Sequence, residues 1–351
     1  MKVNRFDDWL EANGPVAIVV QEELEPVQGP ESVFFPPTFA PPEGSKDSPG
    51  YVIDETGSGK IALVDTVGSQ ANRMEPIFKH PPYSELIPTA SVKIGEREID
   101  LLEVGHRAAD AVVRFSDKWS ELRDAFSQVK EKRDATALAK LAPTSIVFGV
   151  WDSRETQVKL PRIVGSTIRA YAVEKLTRSA QFFTATDKDE REELASSDAL
   201  SAMGLNDAPA GRTNGGVIAR GGIKREAVLN LVALRALSAT DPESTRKLQR
   251  YILGLALIAL LVRSQRFLRE GCLLVPVEEQ EASVRLVART GHREPLKASE
   301  KDALEFAKMA STEFGVGLSW AANFNKSSVK EAADKKEASD KKKKDGAKTK
   351  K

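Results

Sequence analysis

The stretch STIRAYAVEKLTRSAQFF, residues 166–183, decides whether the middle of this chain is sheet or helix. Spaced in twos, its residues put Arg169, Tyr171, Val173 and Lys175 on one face and Ile168, Ala170 and Ala172 on the other. One face is small and apolar, while the other is basic and carries an aromatic ring. The segment therefore reads as a half-buried strand whose outer face suits a polyanion with stackable bases. An ordinary solvated sheet face carries the same pattern, and the segment alone does not choose between the two.

Working outward, residues 159–181 hold Lys159, Arg162, Arg169, Lys175 and Arg178 against one acid, Glu174. Just before them, residues 145–151 (SIVFGVW) are unbroken in apolar character and predict a buried strand. After them, residues 187–198 predict a small acidic helix. Glycines 215, 216, 221 and 222, with Arg220, Lys224 and Arg225 close by, lead toward a densely apolar helix over 225–237. A helix start rich in glycine and cations suits phosphate, although the same glycines could equally just turn the chain.

The flanks complete the pattern. Helices are expected over 5–13, from about 69, through most of 106–141, over 242–268 and over 299–312. Strands are expected over 16–24, 273–277 and 283–288, with an extended pair over 86–104 that folds back near Gly95. Residues 29–50 form a proline-rich loop, and 51–54 and 61–65 flank a hairpin turn at 55–60. Strands and helices mix without a βαβ rhythm, which favours an α+β fold over a doubly wound one.

Composition narrows the function classes. The single cysteine, Cys272, excludes a disulfide framework and a cysteine-rich metal site, as suits a reducing cytoplasm. Charged residues in MKVNRFDDWLEANG stand where a signal peptide needs apolar ones, and YILGLALIALLV (251–262) is too short to cross a bilayer. Lys and Arg number 52 against 51 Asp and Glu, but residues 326–351 alone hold 11 Lys against 5 acids. That segment is too polar to bury itself and is expected to be a disordered tail, leaving a slightly acidic body over 1–325.

Catalytic signatures are weak. The run Gly57-Ser58-Gly59-Lys60 imitates the end of a phosphate-binding loop, but Asp54 stands where a glycine is needed and Ile61 where a Ser or Thr is needed. His80, His106 and His292 lack any metal-ligand spacing, and no cofactor is implied. His106 and Asp110 sit four residues apart, a spacing commoner in surface pairs than in catalysis. The polar cluster GSQANRME (68–75) offers donors without a catalytic partner: Ser69 as a helix cap, and Gln70, Asn72 and Arg73 as free side chains.

Taken together, SQANRMEP, HRAADAVVR, FGVWDS, KLPRIVGSTIRAYAVEKLTRSAQ and GGVIARGGIKREAVLNLVALRAL resemble, in order, the RAMP-superfamily backbone subunits of the type I-G (formerly I-U) CRISPR effector complex. The resemblance spans roughly residues 15–290. It implies a modified RNA-recognition (ferredoxin-like) core, an antiparallel sheet with helices on one side, carrying long insertions within one domain over 1–325. It also implies several copies lined up along a CRISPR guide RNA, with a protruding thumb, and target DNA selected by pairing with the guide. Candidates for the thumb are 29–50, 86–104 and 154–183. Further implied partners are a large subunit, a RAMP subunit that caps or processes the guide end, and a nuclease-helicase that does the cutting. The chain is thus expected to be a non-catalytic, cytoplasmic scaffold; the alternative within the superfamily is a ribonuclease that cuts target RNA with a loop aspartate. The residues expected on RNA are Ser69, Gln70, Asn72, Arg73, Arg107, Lys159, Arg162, Arg169, Tyr171, Lys175, Arg178, Gln181, Arg220, Lys224 and Arg225.

Overall fold

Strand β1 (Ala17–Pro26) alternates buried and exposed positions along its length, so one face meets a core and the other does not. A computed structural model of the chain describes residues 3–41, 43–44, 49–262 and 267–334. In it β1 is central to a nine-stranded sheet. The other members are β2 (Ile53–Thr56), β3 (Gly59–Asp65), β4 (Val164–Tyr171), β7 (Ile223–Asn230), β8 (Phe267–Arg269), β9 (Cys272–Pro276), β10 (Ser283–Val287) and β11 (Arg293–Pro295), whereas β5 (Val173–Phe182) and β6 (Ala208–Ala219) form a separate two-stranded ribbon, bridged to Phe34 at Val217.

The centre of the sheet has a simple logic. Strands β10, β1, β7 and β4 lie side by side in that order, every neighbour antiparallel. Numbered by their sequence among themselves, that order is 4-1-3-2, the order of a ferredoxin-like core. Helices fill its inner face: α3 (Pro242–Leu261) buries twelve residues, and its Leu253 and Leu257 join Ile18, Val20, Val164 and Leu229 in the larger core. Helix α4 (Glu300–Phe314) crosses α3 so closely that a Cβ on Gly254 would sit 2.8 Å from the Ala307 Cα. The mixed α+β class and the antiparallel sheet agree with the sequence reading, and YILGLALIALL is the buried half of α3, which ends at Leu261 and not near 268, where Phe267–Arg269 is strand β8. No helix among the described residues is long and apolar enough to cross a membrane.

Around this core, the expected hairpin at 55–60 joins β2 to β3, with Glu55 opposite Lys60. Helix α1 (Val67–Met74) follows β3, and α2 (Trp119–Lys132) is the longest of the helices between residues 106 and 141. A separate three-stranded sheet (Trp320–Asn323, Ala90–Ile94, Arg97–Asp100) contains the expected turn at Gly95. Residues 326–334 are helical, and the rest of the lysine-rich end lies outside the described residues.

Three local expectations are corrected. Residues 225–237 do not form one helix: 223–230 are strand β7, hydrogen-bonded to β1 on one side and β4 on the other, and only Leu231–Arg235 is helical. Ile223, Ala227 and Leu229 are buried at even spacing, so pairing on both edges overrides the helical propensity of the sequence. Residues 145–151 are mainly helix Pro143–Val147, with Pro143 in its first turn, followed by a left-handed Gly149 and a two-residue strand, Val150–Trp151. Finally, Val173 does not share the face of Arg169 and Tyr171. Ala172 takes φ +48°, breaking the alternation, and Val173 turns into a second apolar cluster with Ile168, Ala170 and Val217.

Candidate nucleic-acid interface

At the start of α1, Thr66 rather than Ser69 is the cap: its hydroxyl accepts the Ser69 backbone N–H at 3.1 Å. A bulge where β3 meets Ile168 and Arg169 of β4 lets both Val64 and Asp65 point inward. The fully buried Asp65 carboxylate accepts from Gln70 Nε2 (2.7 Å) and Arg73 Nε (3.0 Å), with the Arg269 guanidinium 3.7 Å away. Ser166 in turn donates to Gln70 Oε1, and Arg73 donates to the Leu268 carbonyl at 2.7 Å. Gln70 and Arg73 thus tie α1 to the sheet. Asn72 is the exposed member of the group.

Asn72 leads to a cleft. Its side-chain oxygen accepts from Arg107 Nη2 at 3.4 Å, while Arg107 Nε donates to Glu75 Oε2 at 2.8 Å. Both partners of this ion pair are buried, and the guanidinium lies 5.3 Å from the Phe148 ring centroid. Burial pushes the Glu75 carboxyl up to about 7 despite the lowering pull of Arg107. Arg107 is shifted down, first by burial, with the like charge of Arg162 adding to the shift. Over this floor opens a cleft of about 470 Å³ lined by Gly105–Arg107, Gly149–Trp151, Ser153 and Lys159–Arg162. Among the described residues lining it there is no carboxylate.

Backbone geometry fixes the walls of the cleft. Trp151 and Lys159 face each other across a short antiparallel pairing, and Lys159 Nζ lies 5.3 Å from the Trp151 ring centroid. The connecting loop is held by buried Asp152, whose Oδ1 accepts the N–H groups of Arg154 and Glu155 and whose Oδ2 accepts the N–H and hydroxyl of Thr156. Burial alone would raise the Asp152 pKa, but these donors hold it below the usual carboxylate value. Gly149 has φ +80°, and a Cβ there would meet Arg162 Cγ at 2.8 Å, so only glycine lets Arg162 lie across this wall.

The remaining expected residues fall into three groups. On the exposed face of the sheet, Lys224 pairs with Glu23 at 2.9 Å and lies over the Tyr171 ring, and Arg169 reaches Glu226 at 4.0 Å. Along the ribbon, Lys175 and Arg178 are exposed and lie over Tyr51 and Phe35 at 5.9 and 5.7 Å from the ring centroids, whereas Arg220 pairs with Glu31 and Glu174. Arg225 lies on the inner face, 3.4 Å from buried Glu22. The side chain of Gln181 lies outside the described residues.

The fold therefore brings Asn72, Arg107, Lys159 and Arg162 together from segments far apart in sequence. It adds His106, Ser153 and Trp151, which the sequence reading passed over as site residues. The available signal was Trp151 in FGVWDS, two residues after Gly149 and directly before Asp152, where the apolar run ends.

Residues 18–175 match a family model described as CRISPR-associated protein GSU0053 (Cas_GSU0053). The match supports a CRISPR-associated protein. No curated protein matches the chain. Every residue that lines the cleft lies inside the matched segment, whereas most of the ribbon and all of β7 lie beyond it.

Proposed function

We propose that the chain is the non-catalytic, guide-RNA-binding backbone subunit of a type I-G CRISPR effector complex. Copies of it line up along the guide, and the guide rather than the protein selects target DNA. The observation that carries this reading is the cationic cleft without a carboxylate, built from three sequence segments within the region matched to a CRISPR-associated family. Lys159, Arg162 and His106 face solvent there, the arrangement that phosphate contacts need and that a fold-stabilising ion pair does not. Lys175 and Arg178 extend the supply of cations along the ribbon, whose position as an extension of the β4–β7 hairpin suits the thumb.

A non-catalytic role is supported by Asp152, the aspartate of the loop beside the cleft, since both its carboxylate oxygens are taken up by that loop. The large subunit, the guide-end RAMP subunit and the nuclease-helicase are partners in this proposal. Expressed with a CRISPR array and its guide-processing subunit, the protein should elute as a large assembly carrying RNA of uniform length. Elution as an RNA-free monomer under those conditions refutes the proposal.

A further inference from the structure

We infer that the cleft is a nucleotide subsite in which Trp151 stacks a single unpaired base while Lys159 and Arg162 hold that nucleotide's phosphate. The inference rests on the RNA-binding reading and adds to it a residue and a binding mode.

Three observations carry it. The first is the state of Trp151. Trp9 is buried, Trp119 gives its indole N–H to Glu155 and Trp320 gives its own to the Leu141 carbonyl. Trp151 has no such anchor among the described contacts and is 56% exposed. Leaving a large aromatic surface in water has a free-energy cost, and such a ring is retained where a ligand covers it.

The second is rigidity. The pairing of Val150 and Trp151 with Leu160 and Lys159, together with the Asp152-centred loop, fixes the backbone from which the indole projects. A ring carried on a fixed backbone has only its own two side-chain torsions to order when a base stacks on it. The third is charge. Lys159 lies against the indole, Arg162 is held across Gly149, and no carboxylate lines the space between them. An apolar protein side chain would gain nothing from those two unpaired cations. A nucleotide uses the ring and the cations at once, and the volume of about 470 Å³ falls within the range of small-ligand pockets.

Single-stranded RNA exposes base faces and duplex RNA does not, so the subsite distinguishes the two forms. The test uses the full chain with a short labelled oligoadenylate, the same oligomer with abasic sites, and duplex RNA. Stacking should quench the tryptophan fluorescence with the single strand, and Trp151→Phe should remove most of the quench while retaining most of the binding. Trp151→Ala should weaken single-strand binding by about 10-fold and leave abasic and duplex binding unchanged.

Two failures are distinguishable. If RNA binds and depends on Lys159 and Arg162, but Trp151→Ala binds like wild type and no quench is seen, the stacking subsite is wrong and the RNA-binding reading stands. If neither the cations nor Trp151 affects RNA affinity in folded protein, both are wrong. Loss of self-association in Trp151→Ala with RNA affinity intact assigns the ring to a protein contact and overturns the inference.

Discussion

The open face of the sheet and the cleft carry similar cations and treat them in opposite ways. On the sheet Lys224 is answered by Glu23 and Arg169 by Glu226, each on the adjoining strand. Among the described residues lining the cleft no carboxylate stands beside Lys159 and Arg162, which lie against an indole and a glycine wall, while Arg107, paired with Glu75, is in the floor. Counting lysines and arginines along the sequence therefore misleads. What marks a surface for a polyanion is the missing carboxylate, because a paired cation must first give up its partner.

The largest effect that sharpens this contrast concerns the floor. Glu75 holds its proton up to about 7 in the folded protein, against an ordinary 4.5, so the folded state binds that proton more tightly than the unfolded chain does. The stability this adds is complete below the ordinary value, falls as pH rises through the window, and is gone above pH 7. Urea unfolding across that window should show wild type losing on the order of 3 kcal/mol relative to Glu75→Gln. Parallel profiles for the two proteins would show that the floor holds no titrating pair.

Next in size is the direct contrast. Lys159→Ala with Arg162→Ala should weaken RNA binding roughly 30-fold and lower the slope of log affinity against log salt by about 2. Arg169→Ala with Lys224→Ala should change affinity by less than about 2-fold, since those cations are already paired. Equal losses from the two doubles, measured by filter binding over a salt series, would erase the distinction between cleft and sheet. The smallest effect comes from unmasking the sheet: Glu23→Gln with Glu226→Gln should raise RNA affinity about 2-fold at low salt, and the gain should vanish as salt screens it.

Periodic segments were readable in the sequence. Strand β4 alternates as its sequence does, α3 is the apolar run that was too short for a membrane, and Glu55 to Lys60 turns a hairpin. Errors came where long-range pairing decides. Residues 225–230 resemble the start of a helix until β1 and β4 take their hydrogen bonds, and residues 145–151 resemble a strand until Pro143 and Gly149 bound a helix and a turn. The lining of the cleft was half readable for a similar reason. Lys159 and Arg162 stood out as local charge, but nothing local indicates that Arg73 is committed to Asp65, Arg107 to Glu75 or Arg225 to Glu22. A basic residue's partner is a property of the fold.

The left-handed residue Ala172 has one more consequence. In a continuous strand the parity of each position is inherited from the one before, so inserting a single residue exchanges inside for outside all the way along. Ala172 resets that parity where the sheet ends and the ribbon begins. The ribbon therefore presents its side chains in a phase of its own, set by the pairing of β5 with β6 and not by the register of β4 against its neighbours in the sheet.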